Sequence, residues 1–226
     1  RFSESLFGVI ENRISPIAAR LSSQRHVVAI KDGFISSMPF LIVGSFMLLF
    51  AHPPFGADSQ WAFARWWLGM VERHSAQIMM PYNMTMGIMA VYIAAAIAYN
   101  LAISYKMNGF MAACLSLMSF LLVASPQSNG ALPVGSLGGE GIFTAIIVSL
   151  YSTALMHFLQ NHHIGFKLPE QVPPKIRPSF DLLIPILAIF LTLFPLRLLV
   201  QDQFGMLLPQ AIMAHFKPII SASDSL

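Results

Sequence analysis

Five apolar stretches, each close to the length of a bilayer-crossing helix, follow one another with polar joints between them. That spacing constrains the fold more than any single motif does. A transmembrane helix needs about 20 mostly apolar residues. The windows are Phe34–Ala51 (FISSMPFLIVGSFMLLFA), Pro81–Ala102 (PYNMTMGIMAVYIAAAIAYNLA), Met107–Ala124 (MNGFMAACLSLMSFLLVA), Gly141–Gln160 (GIFTAIIVSLYSTALMHFLQ) and Asp181–Val200 (DLLIPILAIFLTLFPLRLLV). Of the 226 residues, 56% are apolar and 10% charged. A soluble domain carries about 25% charged residues, and a chain this short cannot hide so much apolar surface from water. The expectation is an all-α, polytopic membrane protein with five transmembrane helices.

Basic residues orient the spans, because cytoplasmic loops collect Lys and Arg. Residues 1–33 carry Arg1, Arg13, Arg20, Arg25 and Lys31; the second loop carries Lys106, and the fourth Lys167, Lys175 and Arg177. The remaining four, Arg65, Arg73, Arg197 and Lys217, fall on the other side. The N-terminus is therefore expected in the cytoplasm. Residues 1–33 are too polar to span; Phe2, Leu6, Val9, Ile10, Ile14 and Ile17 recur near helical spacing and suggest interfacial amphipathic helices. Ser15-Pro16 reads as a cap followed by a first helical residue. Residues 34–226 form the membrane domain. All three tryptophans, Trp61, Trp66 and Trp67, fall between the first two windows, where they suit an aromatic anchor at the outer surface or a lid over a solute path.

Several chemistries are excluded. The net charge of +3 does not imply nucleic-acid binding, which needs basic residues clustered on a water-exposed face. Cys114 is the single cysteine, so no disulfide forms within the chain and no Cys/His metal spacing exists. Gly135, Gly138 and Gly139 lack the preceding strand and the Lys-Ser/Thr of a phosphate cradle. No Asp, Glu, Lys or Arg lies near the centre of any window, which argues against an ion-coupled carrier. Arg197 falls near the end of the fifth window, where its long stem can reach headgroups or water.

The polar groups that remain are neutral. Tyr82, Asn83 and Thr85 open the second window, and such hydrogen-bonding groups suit a sugar. They equally suit helix capping and bonds between helices. None of the seven histidines has a carboxylate orienter at close spacing inside a span, so no phosphoacceptor or general base stands out. No catalytic residue, metal site or cofactor is expected.

The joint Lys167–Pro185, KLPEQVPPKIRPSFDLLIP, resembles the sugar-specific IIC membrane components of the bacterial phosphotransferase system, in their lactose/cellobiose/diacetylchitobiose branch. Pro169, Val172, Pro173, Ser179, Phe180, Ile184 and Pro185 fit the pattern directly. Prolines set an extended, low-entropy path, and Lys167, Lys175 and Arg177 suit an anionic cytoplasmic face. His26–Pro39 (HVVAIKDGFISSMP) resembles the family pattern at the mouth of the first span. Tyr82–Leu101 and Lys106–Ser125 resemble its second and third spans.

The resemblance implies a permease for a β-linked disaccharide such as cellobiose or diacetylchitobiose, in a bacterial inner membrane. Its partners would be the cytoplasmic IIB and IIA phosphotransferase components, membrane lipid and a second copy of itself in a homodimer. It implies that this chain is the N-terminal half, supplying scaffold and dimer contact, with most sugar-binding groups beyond Leu226. The alternatives are a membrane assembly protein that transports nothing, and an ion-coupled carrier.

Overall fold

A computed structural model describes residues 15–56, 58–125, 134–165 and 180–223. Within them the chain is helical, with no strand among the described residues. Four helices are long and apolar enough to cross a membrane, and a fifth is apolar but shorter. The chain is thus an all-α, multi-pass membrane protein. Residues 166–179, the part of the proline-rich joint with Lys167, Lys175 and Arg177, and the first 14 residues lie outside the described residues.

A short helix, α1 (Ser15–Ser22), precedes the long α2 (Arg25–Ala51). Residues 25–33, expected in the interfacial segment, instead form the first turns of α2. Ala29, Gly33, Ser37 and Gly44 make its buried stripe, so small residues let a neighbouring backbone approach closely. The next segment, expected as an irregular loop with Trp anchors, is largely a helix, α3 (Ala62–Asn83), kinked at His74 (φ −128°, ψ 25°). Rings of Phe50, Phe55, Trp61, Phe63 and Trp67 form a contiguous edge-to-face group at its start. Trp67 Nε1 donates to the Phe50 carbonyl at 2.8 Å and ties α3 to the end of α2.

The second window does not form one helix. It breaks after Asn83, passes through a short 3-10 turn (Met86–Ile88) and resumes as α4 (Met89–Ser104). α4 is the centre of the bundle, packing on α2, α5 and α6. Its Ile93, Ala94, Ile97, Ala98, Leu101 and Ala102 are fully buried. A tight turn, with Lys106 at φ 60°, leads to α5 (Gly109–Ala124), whose start is capped by Asn108 accepting from Met111 N–H at 3.2 Å. Its 16 residues give a length of about 24 Å, short of the roughly 30 Å hydrocarbon core. Ser116 Oγ donates across to the Ala94 carbonyl at 3.0 Å.

Two 3-10 turns, Val134–Leu137 and Gly139–Gly141, lead into α6 (Ile142–Asn161). α7 (Leu183–Phe204) runs back and ends at Gly205 in the left-handed region (φ 63°), which glycine adopts without a Cβ penalty. It extends past the expected end at Val200. A further helix, α8 (Leu208–Ser223), follows. It packs against α5, α6, α7 and the second 3-10 turn, and Phe216 stacks on Phe143 at 4.4 Å.

Candidate functional site

The break between α3 and α4 leaves backbone carbonyls without helical partners, and in an apolar surrounding each must be satisfied by protein. Hydroxyls do this. Thr85, at φ −120° and ψ −90°, donates from Oγ1 to the Pro81 carbonyl at 2.6 Å. Tyr92, in the first turn of α4, donates from its hydroxyl to the Met84 carbonyl at 2.7 Å. Its ring stacks on Phe40 of α2 at 4.2 Å, so α2 holds the residue that closes the break. Gly44 of α2 sits over the same place; a Cβ there would stand 2.8 Å from Thr85 Oγ1 and 2.9 Å from Met86 N.

The two glycine-containing turns approach the break from the other side. A Cβ on Gly138 would stand 2.8 Å from the Gly87 carbonyl oxygen. An open cavity of about 360 Å³ remains between them, lined by Tyr82, Asn83, Met86, Gly87 and Met89 with Gly135, Gly138 and Gly139. Tyr82 and Asn83 are half-buried and bring a phenol and a carboxamide to the lining. Thr85 lies outside it, with its hydroxyl committed to Pro81. The lining holds neutral hydrogen-bonding groups and no nucleophile–base pair, which suits holding a neutral polar solute rather than making or breaking bonds.

Of the glycines that Gly-rich spacing singled out, Gly138 therefore acts through close backbone approach. The sequence reading had no signal for that partnership, because Gly87 and Gly138 are far apart in the chain and meet only across the folded bundle.

The opposite end of the bundle carries a stack of aromatic and basic groups. Tyr105 lies between Arg25, 4.6 Å above its ring, and His157, whose ring stacks at 4.0 Å. The Tyr105 hydroxyl is 3.2 Å from His26 Nε2, and Asn161 Nδ2 is 3.0 Å from His157 Nε2. The stack joins the start of α2 to the ends of α4 and α6. His52, His74, His162 and His215 each place Nδ1 against the carbonyl four residues earlier on their own helix. Among the described residues no three His, Cys, Asp or Glu side chains converge as metal ligands.

Arg197 departs most from the sequence reading. It is 6% exposed, and its Nε and Nη2 have no hydrogen-bond partner among the described residues. The physical reason is the length of α7 and the presence of α8. Arg197 shares the buried face of α7 with Ile189 and Leu193, and the helix continues beyond it while α8 folds back against the bundle. The spacing of 189, 193 and 197 at one-turn intervals was the available signal; position near the window's end pointed the other way.

The profile of the family described as "Phosphotransferase system, EIIC" matches residues 31–225. The chain is 33% identical over 206 residues to the cellobiose-specific EIIC component of Geobacillus stearothermophilus, covering 85% of this chain and 45% of that protein. It is 31% identical over 209 residues to the lichenan permease IIC component of Bacillus subtilis (strain 168), again covering 85% and 45%. It is 32% identical over 220 residues to the lactose-specific EIICB component of Staphylococcus aureus (strain COL), covering 92% and 37%. The backbone is similar to the crystal structure of the transporter ChbC, the IIC component of the N,N'-diacetylchitobiose-specific phosphotransferase system. The TM-score is 0.82 at 27% identity, over 94% of this chain and 51% of that one. The chain thus spans about half the length of the curated relatives it matches.

Proposed function

The chain belongs to the EIIC family of the phosphotransferase system, and from that premise we propose that it works as part of a membrane permease for a β-linked disaccharide of the cellobiose or diacetylchitobiose type. The observation that carries this reading is the likeness of nearly the whole backbone to the transporter fold of ChbC. The neutral cavity at the broken helix agrees with it, because an uncharged sugar is held by hydroxyl and amide groups. In this reading Tyr82 and Asn83 contact the sugar, and Thr85 keeps the break in shape. A cytoplasmic IIB component, charged by IIA, receives the sugar and phosphorylates it. Arg25, Tyr105, His26 and His157 then face the cytoplasm in a bacterial inner membrane, and a second copy pairs with the chain.

The test uses the protein as expressed from its own gene, in membrane vesicles of a strain lacking other β-glucoside uptake. Vesicles supplied with phosphoenolpyruvate and the soluble carriers should accumulate cellobiose or diacetylchitobiose as the phosphate. Accumulation that collapses with an uncoupler while phosphoenolpyruvate is present would favour an ion-coupled carrier. Assembly without any accumulation would favour a protein that transports nothing.

The cavity makes its own prediction. Tyr82→Phe and Asn83→Ala each remove a hydrogen-bonding group, worth about 0.5–1.5 kcal/mol. The expected result is a KM raised roughly 2–10-fold with kcat little changed, the pattern of lost uniform binding. Unchanged KM in both variants would remove Tyr82 and Asn83 from the sugar path.

A further inference from the structure

We propose that Arg197, with Gln201 and Thr144, forms a binding site for a small monovalent anion inside the helix bundle. Arg197 is more than nine-tenths buried, and both Nε and Nη2 lack a partner among the described residues. One turn along α7, Gln201 Oε1 likewise has no partner among the described residues, and neither has Oγ1 of the fully buried Thr144 on α6. α6 and α7 run antiparallel, and Val148 and Leu193 line one cavity between them. Stepping four residues along each helix, one turn, brings Thr144 to the level of Arg197. Arg197 and Thr144 therefore lie at one depth, and Gln201 stands one turn, about 6 Å, further along α7.

The guanidinium stays charged under all ordinary conditions. An unpaired charge among apolar helices is expensive and calls for a counter-charge. Arg197 forms no ion pair among the described residues. The free groups are mainly donors: two guanidinium N–H directions and a threonine hydroxyl. Gln201 adds its amide N–H groups by turning the carboxamide, whose O and N positions are interchangeable at small cost. Donors converging on one positive charge fit an anion of charge −1. A free inorganic anion and a lipid phosphate share that chemistry. The inference concerns a part of the bundle that the sugar reading does not use, and it stands whether or not the protein carries sugar.

The experiment is thermal unfolding of the purified full-length protein in detergent. Chloride replaces methanesulfonate at constant ionic strength, and a parallel arm without chloride receives phosphatidylglycerol. Saturating chloride is expected to raise the midpoint by about 3–8 °C, as a ligand bound only to the folded state does. Arg197→Gln should abolish the rise and Thr144→Val should weaken it. An Arg197-dependent rise with phosphatidylglycerol alone would support the site and assign it to a headgroup. No rise with either probe, or an equal rise in Arg197→Gln, would overturn the proposal. Should Arg197→Gln fail to fold, bromide-soaked crystals of the unmodified protein decide. An anomalous peak beside Arg197 supports the site, and its absence at full soak refutes it.

Discussion

Gly33→Leu should break the bundle at the seam between α2 and α4, with the largest loss of stability of any single change considered. A Cβ at Gly33 would stand 2.9 Å from the Ile97 backbone nitrogen and 3.0 Å from its Cα. A side-chain clash can be relieved by a rotamer change, but this one is against backbone of the central helix, at its fully buried Ile97. The two helices must part along their length. Overpacking of this kind typically costs about 1–3 kcal/mol, and contact with backbone puts Gly33→Leu at the upper end or beyond. Gly69→Leu is the control: it also lies within a helix, but nothing stands within 4 Å of its Cβ position, so its effect should stay within about 0.5 kcal/mol. Heating the detergent-purified proteins and measuring the remaining folded fraction by size exclusion separates the two. Equal midpoints for Gly33→Leu and the unmodified protein would mean that α2 does not rest on α4 as described.

Gly138→Val should abolish sugar accumulation while leaving the protein in the membrane. The Gly87 carbonyl oxygen lies 2.8 Å from the position of the new Cβ, so the 3-10 turn and the helix break cannot both keep their places. Both line the cavity with Tyr82 and Asn83. A barrier raised by about 1.4 kcal/mol lowers the rate tenfold, and displacing one wall of the cavity should cost at least that. Phosphoenolpyruvate-driven uptake should therefore fall more than tenfold, with membrane content measured in parallel by immunoblot. Gly135→Ala, whose Cβ meets open space, should keep most of the activity. Uptake that survives Gly138→Val unchanged would place the sugar path elsewhere, while loss in Gly33→Leu alone would report only on folding.

Four of the apolar windows overlap helices of the fold, although α2 begins nine residues before its window at Arg25, because the bilayer sets the length and composition of a spanning segment independently of its neighbours. The family resemblance was legible for a similar reason: it rests on local stretches such as HVVAIKDGFISSMP, whose residue order needs no fold to be seen. The second window misled. Pro81–Ala102 holds no charged residue, so length and hydropathy read it as one span, yet it is divided at Met84–Ile88. Tyr92 within the window bonds Met84, and residues of α2 hold the break: Phe40 stacks on Tyr92, and Gly44 makes room for Thr85.

The amino-acid sequence alone determined that this is an all-α, multi-pass membrane protein, where its apolar segments lie, and which family it resembles. These follow from transfer of side chains between water and lipid, summed over contiguous residues. Tertiary structure alone decided where a helix breaks, which of Tyr82, Asn83 and Thr85 face a cavity, and that Arg197 is enclosed rather than snorkelling. Those outcomes depend on the satisfaction of single polar groups and on backbone approach between distant segments. A polar atom is satisfied or orphaned only by what packs against it, and no local stretch of sequence contains that information.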